Sequence, residues 1–221
     1  MADFNIGFVI FPNLTQLDFT GPLQVLNRLP GGKTHIIAKS AEPVPSDCGL
    51  GLVPTATFQD CPRLDLICVP GGAGVLQAMT DPATVAFVRH QAETARYITS
   101  VCTGAFVLGM AGLLNGRRAT THWAYTDLLP LVGATPEKAR VVWDGNVVTA
   151  GGVTSGIDFA LQLVAEIADA GVAQAIQLGI EYDPAPPFAS GHPDRAPKAV
   201  KSLVEPRFAA AREAYRAALP A

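Results

Sequence analysis

The stretch YITSVCTGAFVLGMAGLL, residues 97–114, decides the fold of this chain of 221 residues. Its first five residues are apolar, small or β-branched, which is typical of a buried parallel strand. The residues after Cys102 are rich in Ala, Leu and Met and favour a helix. Ser100 and Gly104, two positions on either side of the cysteine, are small enough for a sharp turn. The pattern predicts a strand–cysteine–helix elbow centred on Cys102.

The position of Cys102 in this elbow predicts a nucleophile. The first N–H groups of a helix have no partner within the helix, and the positive end of the helix dipole lies beside them. Both favour the thiolate over the thiol, and an elbow built on a nucleophilic serine makes the same demand for small neighbours. The alternative is a plain buried cysteine, which is the commoner fate of a free thiol. The elbow context favours the nucleophile.

The rest of the chain alternates predicted strands with predicted helices. Such alternation implies an α/β fold with a parallel sheet and helices on both faces. Residues 1–221 are interpreted as one domain, with a C-terminal helix over about 198–219. The other expected elements are strands at 5–11, 35–38 and 64–69, a hairpin over 140–149 that turns at Asp144-Gly145, and helices at 153–170 and 172–182.

Composition and charge exclude several classes of function. The net charge of −3, with no Lys/Arg cluster before the final helix, argues against nucleic-acid binding. The four cysteines show no CxxC spacing and the four histidines are scattered, so no metal site is predicted. Cys48, Cys61 and Cys68 are interpreted as small hydrophobic residues. The apolar N-terminus indicates a first strand and not a signal peptide, and no run reaches the length of a membrane span. We expect a cytoplasmic protein without membrane contact.

Two further loops are expected beside the elbow, because reactive sites in parallel sheets lie at the carboxyl ends of the strands. Asp18 is predicted to lie in the loop after the first strand, with a helix starting near Thr20 or Gly21, since Pro22 suits a first turn. The glycine-rich turn 70–74 follows another buried strand but lacks the phosphate-binding patterns. Its expected use is to present a backbone N–H to an anionic intermediate.

The chemistry predicted at this convergence is a thiolate with a neutral acid. Two anions cannot easily share one site, so one member of the Asp18–Cys102 pair holds the proton and the pair titrates as a unit. Asp18 then acts as general acid, although a loop aspartate is more often a helix cap or turn residue. The N–H groups of Gly72 and Thr103 are the candidates for stabilising the anion.

A supporting histidine and an apolar pocket complete the expected site. His122, 20 residues after the cysteine, is either a partner of the sulfur or a packed core residue, and the two readings are evenly balanced. The pocket residues expected near the sulfur are Phe106, Trp123 and Ile157, which suit a neutral substrate.

Five segments carry a resemblance to a known family: Leu17-Asp18-Phe19-Thr20-Gly21-Pro22, Val69-Pro70-Gly71-Gly72, Ser100-Val101-Cys102-Thr103-Gly104, Ala119-Thr120-Thr121-His122-Trp123 and Gly156-Ile157-Asp158. In order and spacing the chain resembles the DJ-1/PfpI superfamily from about residue 5 to 187. Within it, the branch that looks most similar is the bacterial isocyanide hydratases.

The resemblance implies a flavodoxin-like three-layer sandwich, a homodimer, and a cofactor-free enzyme that adds water to an isocyanide to give an N-substituted formamide. It also implies that Cys102 is the nucleophile and Asp18 its acid/base partner. Protease-like members carry His directly after the nucleophile, whereas this chain has Thr103. DJ-1 itself has Glu where this chain has the shorter Asp18.

Three alternatives stay open from the sequence. One is a DJ-1-like glyoxalase or deglycase that uses Cys102 with His122. The second is a ligand-sensing module, because the LDFTGP and TTHW segments also resemble the sensor halves of AraC-type regulators; only about 35 residues follow position 187, which argues against an added DNA-binding domain. The third is a redox sensor in which Cys102 is oxidised to a sulfinic acid.

Overall fold

The computed structural model describes residues 3–220 and contains a central seven-stranded sheet. The strands of the protein are β1 (Phe4–Val9), β2 (Gly32–Ala38), β3 (Val44–Pro45), β4 (Gly51–Leu52), β5 (Ala56–Thr57), β6 (Leu66–Val69), β7 (Tyr97–Val101), β8 (Arg118–Ala119), β9 (Thr135–Pro136), β10 (Val141–Asp144) and β11 (Val147–Ala150). The α-helices are α1 (Gln16–Leu26), α2 (Val75–Thr80), α3 (Pro82–Ala92), α4 (Ala105–Met110), α5 (Ser155–Ile167), α6 (Ala170–Gly179), α7 (Lys198–Val204) and α8 (Ala209–Ala218). The 3₁₀ helices cover Cys102–Gly104, Trp123–Val132 and Glu205–Phe208.

The central sheet is mostly parallel, as the sequence predicts. Its strand order is β10-β11-β7-β6-β1-β2-β5, and only the β10–β11 hairpin is antiparallel among these described strands. Strand β7 therefore lies between β6 and β11, and the chain leaves all three strands close to the same sheet edge. That placement brings the elbow, the glycine-rich turn after β6 and the turn after β11 together.

Helices cover the sheet in two groups, which confirms the flavodoxin-like sandwich. Helix α1 packs against α5, which in turn packs against α6, while α2, α3 and α4 pack against one another. The buried apolar side chains form a continuous core between these helices and the sheet; its largest fully enclosed members include Phe8, Phe19, Phe106 and Phe159. Burial of this apolar area supplies the main driving force for folding. Within residues 3–220, no helix combines the length and the apolar character needed to cross a membrane.

The first helix begins earlier than predicted, so the placement of Asp18 in a loop is wrong. Helix α1 starts at Gln16, and Asp18 lies in its first turn with Pro22 inside the helix. The Thr15 N–H donates to the Gly71 carbonyl oxygen at 2.9 Å, and Leu14 forms a bridge to Gly72. These tertiary contacts set the helix start and override the preference of proline for the first turn.

The prediction of one C-terminal helix is wrong, and two other elements have local features of their own. Helix α5 has no side-chain cap at Thr154, and the Asp158 carboxylate in its first turn accepts from Arg140 and Tyr182. The segment after His122 is a long 3₁₀ helix. The C-terminal helix is two α-helices, since Pro206 lacks the N–H that a continuous helix would need there.

Candidate active site

Cys102 lies at the carboxyl end of β7 in a backbone conformation that L-residues rarely adopt. Its φ of 56° is in the left-handed region, where a residue other than glycine persists only if its surroundings hold it. The Cys102 N–H donates to the Gly151 carbonyl oxygen at 2.8 Å, and its own carbonyl accepts from the Thr121 hydroxyl at 2.7 Å. The predicted elbow is therefore present, and both backbone groups of the strained residue are bonded.

Gly71 is the point at which the acid and the thiol meet. The Gly71 N–H donates to Asp18 Oδ2 at 2.9 Å, and the carboxyl group is fully buried. A Cβ atom built on Gly71 would lie 2.8 Å from Asp18 Oδ2, 2.8 Å from the Cβ of Cys102 and 2.6 Å from the backbone nitrogen of Thr103. No side chain fits between these groups, so the predicted convergence of three segments is confirmed.

The two ionisable groups of the site share their protonation. Burial raises the pKa of Asp18 to about 7, while the Gly71 N–H and the Cys102 side chain act in the opposite direction. Burial, followed by the negative charge of Asp18, raises the pKa of Cys102. Burial of the Cys102 thiol therefore opposes the helix N-terminus, which favours the thiolate. Because each anion disfavours the other, the pair loses its two protons one at a time and titrates as a unit.

Two backbone N–H groups favour the thiolate form of Cys102 and lower its pKa, those of Thr103 and Val153. The sequence predicted the Gly72 and Thr103 N–H groups as donors to an anionic intermediate, and that role stays a prediction. The Gly72 N–H donates to the Thr103 hydroxyl at 3.1 Å. Val153, with an unusual φ of 21°, was missed. The available signal was the Gly151-Gly152 pair that follows the hairpin strand next to β7.

His122 occupies a packed site in which it is uncharged at neutral pH. Its Nδ1 accepts from the Ala124 N–H at 3.3 Å, and its ring lies against Phe208 with 5.1 Å between centroids. A Cβ on Gly152 would come within 2.8 Å of the ring carbon Cδ2. Burial lowers the pKa of His122 to about 4. These contacts favour the packed reading, in which the ring supports the turn after β11.

The three predicted pocket residues occupy different surroundings. Phe106 is fully enclosed and packs edge-on against Tyr215 with 5.1 Å between centroids, so it belongs to the core behind the elbow. Ile157 is half-buried and faces Gly21 across the α1–α5 contact. Trp123 lines a cavity of about 940 Å³ that also touches His122, Gly152 and Val153, and whose outer wall carries charged side chains. Of the three, only Trp123 borders this cavity.

The remaining cysteines differ in their exposure to solvent. Cys68 is buried and Cys61 half-buried, as small hydrophobic residues would be, but Cys48 is exposed beside Ser46 and does not fit that prediction. Across residues 3–220, no three His, Cys, Asp or Glu side chains gather in a way that would hold a metal ion.

Several known proteins are similar to this chain in sequence or in fold. Isonitrile hydratase from Pseudomonas putida is 59% identical over 204 residues, which is 92% of this chain and 90% of that protein. The HTH-type transcriptional regulator GbdR from Pseudomonas aeruginosa is 30% identical over 170 residues, 72% of this chain but 46% of the regulator. The crystal structure of a THiJ/PfpI family protein from Pseudomonas syringae superposes with a TM-score of 0.96 at 45% identity, covering 99% of this chain and 91% of that one.

The family match itself spans the elbow, the acid and the glycine-rich turns. The profile described as the DJ-1/PfpI family matches residues 5–166, which include every strand of the central sheet from β2 to β11 and nearly all of β1. The matched region ends before α6 and the C-terminal helices. The resemblance read from the sequence is confirmed, and this chain belongs to the DJ-1/PfpI family.

Proposed function

We propose that this protein is an isocyanide (isonitrile) hydratase that uses Cys102 as a covalent nucleophile and needs no cofactor. The 59% identity to the Pseudomonas putida isonitrile hydratase supports the substrate class. The single observation that carries the mechanism is the meeting of Asp18 and Cys102 at Gly71, with one oxygen of the acid held by the Gly71 N–H.

The first half of the reaction joins the thiolate to the substrate. The Cys102 sulfur attacks the terminal carbon of R–N≡C, and the same carbon takes the proton that Asp18 carries, which gives the thioimidate R–N=CH–S–Cys102. Asp18 Oδ2 is occupied by Gly71, whereas the buried Oδ1 has no hydrogen-bond partner among the described residues. Oδ1 is therefore the oxygen assigned to carry the proton. The raised pKa of Asp18 keeps that proton available near neutral pH.

The second half releases the formamide. Asp18, now a carboxylate, accepts a proton from the water that attacks the thioimidate carbon, and passes it to the nitrogen. The hydroxyl of the resulting R–NH–CH(OH)–S–Cys102 gives its proton to Asp18 as the carbon–sulfur bond breaks. The products are R–NH–CHO, the thiolate and a protonated Asp18, so one water is consumed and the site is restored.

Backbone N–H groups near the sulfur stabilise the thiolate before it attacks the isocyanide and again after the formamide is released. The N–H groups of Thr103 in the elbow and of Val153 in the turn before α5 both lower the pKa of the Cys102 thiol. Such donors are fixed before reaction, so they need no reorganisation when the negative charge returns to the sulfur. From the family resemblance we further propose that one domain forms each subunit and that the subunits form a homodimer in the cytoplasm; light scattering of the purified protein tests the dimer.

Steady-state kinetics with p-nitrophenyl isocyanide test the proposal. Cys102→Ala should abolish formamide production, and Asp18→Asn should reduce kcat by about a hundredfold or more, the usual contribution of a general acid–base group. Circular dichroism should show that both variants remain folded. Mass spectrometry of quenched wild-type reactions should find the substrate mass added at Cys102.

Methylglyoxal assayed beside the isocyanide separates this function from a glyoxalase or deglycase. A clear preference for the aldehyde, or full isocyanide turnover by Cys102→Ala, would overturn the assignment. Graded peroxide followed by intact-protein mass spectrometry addresses the redox-sensor alternative, for which selective oxidation at Cys102 without isocyanide turnover is the expected result.

A further inference from the structure

We propose that Asp47, at the tip of the β3–β4 hairpin, is a positioning residue that fixes the first turn of α1 and thereby the Asp18 carboxyl. The contact that carries this role joins two parts of the chain that are distant in sequence. The inference rests on the proposed function for its turnover measurements, whereas its alkylation measurements need no isocyanide.

Helix α1 is capped by a side chain from another element. The first N–H groups of a helix have no partner within the helix, and the Thr15 side chain, directly before α1, caps none of those described here. Instead, Asp47 Oδ1 accepts from the N–H of Gln16, the first residue of α1, at 3.2 Å. A bond from a backbone N–H to a carboxylate is charge-assisted, and a carboxylate is favourable beside the positive end of the helix dipole. The Asp47 carboxylate therefore stabilises the start of α1.

The hairpin tip is itself fixed to the segment that leads into α1. The Asp47 N–H donates to the Leu14 carbonyl oxygen at 3.0 Å. Leu14 is fully buried and forms one bridge to Ser46 in the hairpin and another to Gly72 in the glycine-rich turn. The segment therefore lies between the hairpin and that turn. Because these contacts are made by the backbone, a substitution of the Asp47 side chain removes the cap and leaves them in place.

The first turn of α1 connects this cap to the acid. The Asp18 N–H donates to the Thr15 carbonyl oxygen at 3.0 Å, and the Thr15 N–H donates to the Gly71 carbonyl oxygen at 2.9 Å. The Gly71 N–H in turn donates to Asp18 Oδ2 at 2.9 Å. Fraying of this turn would move the buried carboxyl relative to Gly71. The Asp47 cap opposes fraying, so it holds Asp18 in place without touching it.

Comparison of Asp47→Ala with Asp47→Asn and Asp169→Ala tests this role. Asp169 is the matched control, because its carboxylate caps α6 through the Val172 N–H at 2.9 Å. Both alanine variants should lower the equilibrium constant for folding about two- to thirtyfold in urea unfolding, the range for loss of a helix cap. Only Asp47→Ala should lower kcat, by about three- to tenfold with KM unchanged, the factor for one hydrogen bond. Asp47→Asn should stay within about twofold of wild type, because Asn is as good a cap as Asp.

Alkylation of Cys102 by iodoacetamide, followed on its own peptide by mass spectrometry, is a measurement that a merely structural role would not change. Burial and then the negative charge of Asp18 raise the pKa of Cys102. A displaced Asp18 carboxyl should therefore lower the pH midpoint of alkylation in Asp47→Ala, by about half a unit. In the Asp18→Asn background, Asp47→Ala should cause no further shift, because no charge remains to be displaced.

Two outcomes would overturn the proposal. If Asp47→Ala and Asp169→Ala had equal kcat and equal alkylation midpoints, Asp47 would contribute only stability. If Asp47→Asn were as impaired as Asp47→Ala, the charge of Asp47 and not its cap would be responsible. A wild-type protein without isocyanide turnover would refute the proposed function, whereas the alkylation midpoints would still decide the role of Asp47.

Discussion

Two glycine pairs flank the elbow, one after β6 and one after β11, and they serve different members of the catalytic pair. Gly71-Gly72 follows β6; the Gly71 N–H holds Asp18 and the Gly72 N–H holds the Thr103 hydroxyl. Gly151-Gly152 follows β11; the Gly151 carbonyl accepts from the Cys102 N–H, and the N–H of Val153, directly after the pair, lowers the pKa of the Cys102 thiol. One turn positions the acid, and the other positions the thiol.

Because the two turns serve different groups, the charge and the geometry of this site can be changed separately. The β6 turn is enclosed between two parallel strands and α1, where the buried carboxyl makes protonation sensitive to small changes. The β11 turn leads into α5 and borders the large cavity, where its neighbours are side chains such as His122. We expect changes at the first turn to alter protonation and stability strongly, and changes at the second to alter the reactivity of the thiol.

Asp18→Asn should produce the largest effect, a change in how stability depends on pH. A pKa that rises from 3.8 in the unfolded chain to about 7 in the fold means that the native state binds this proton more tightly. Stability from this group is complete below pH 3.8 and is lost as pH rises through 7. The shift of about 3 units corresponds to up to about 4 kcal/mol. The carboxamide oxygen can still accept from Gly71.

Urea unfolding of wild type and Asp18→Asn between about pH 4 and about pH 8, a window that spans both pKa values, measures this difference. The gap in unfolding free energy should move in favour of the variant as pH rises, whereas the contributions of the exposed acids cancel between the two proteins. A gap that stays constant over this range would show that the carboxyl is not perturbed.

Gly71→Ala should come next, with a loss of about 3 kcal/mol in unfolding free energy, near the upper range for an overpacked core site. The added Cβ would fall 2.6 Å from the Thr103 nitrogen, so backbone must move apart at the elbow. Misplacing the acid relative to the thiol should lower kcat/KM by at least about a hundredfold. Gly51→Ala is the matched control, because a Cβ there meets no atom within 4 Å. If both alanine variants behaved alike, Gly71 would not be the meeting point of the site.

The sequence alone was sufficient to predict the parts of this site that depend on local pattern. A run of apolar residues followed by glycines or by the cysteine elbow predicts a buried strand and the turn after it. The carboxyl ends of neighbouring parallel strands lie at the same edge of the sheet, so these turns are expected to lie close together. The placement of Asp18 in a loop failed because contacts of Thr15 and Leu14 with the β6 turn, remote in sequence, start the helix early.

The role of Val153 lies beyond such patterns for a different reason. Val153 takes part through its backbone, so its side chain carries no chemical signal. The charge state of His122 could not be predicted from the sequence either. It depends on burial of the ring, which lowers its pKa to about 4.

Gly152→Ala should have an intermediate effect, about 1 to 2 kcal/mol in unfolding free energy, typical of moderate overpacking. The Cβ of the new alanine would lie 2.8 Å from the His122 ring. Because the ring is a side chain and not backbone, it can rotate away, which breaks the hydrogen bond that its Nδ1 accepts from the Ala124 N–H. Cys102 alkylation should slow, because the neighbouring Val153 N–H moves. Removing the obstacle in Gly152→Ala/His122→Ala should restore the alkylation rate; a double variant slower than Gly152→Ala would contradict this explanation.

Tyr182→Phe should give the smallest effect. It tests whether a chain of partly exposed hydrogen bonds stabilises the turn after β11. The Tyr182 hydroxyl donates to Asp158 at 3.0 Å, Asp158 binds the Arg140 guanidinium, and Arg140 donates to the Thr154 hydroxyl at 3.1 Å beside Val153. Because these groups are partly exposed, we expect less than about 1 kcal/mol in stability. The alkylation rate of Cys102 should fall by about twofold, the effect of one hydrogen bond of partial strength.

Tyr97→Phe is the matched control for this change, since its ring packs on Trp143 at the opposite end of β7. The pH-dependent stability gap that Asp18→Asn reveals belongs to the β6 turn and should persist unchanged in the Tyr182→Phe background. If Tyr182→Phe instead reduced that gap and left alkylation untouched, the two turns would not act independently. The acid and the thiol would then be held by one connected structure, and Asp158 would influence the carboxyl as much as the sulfur.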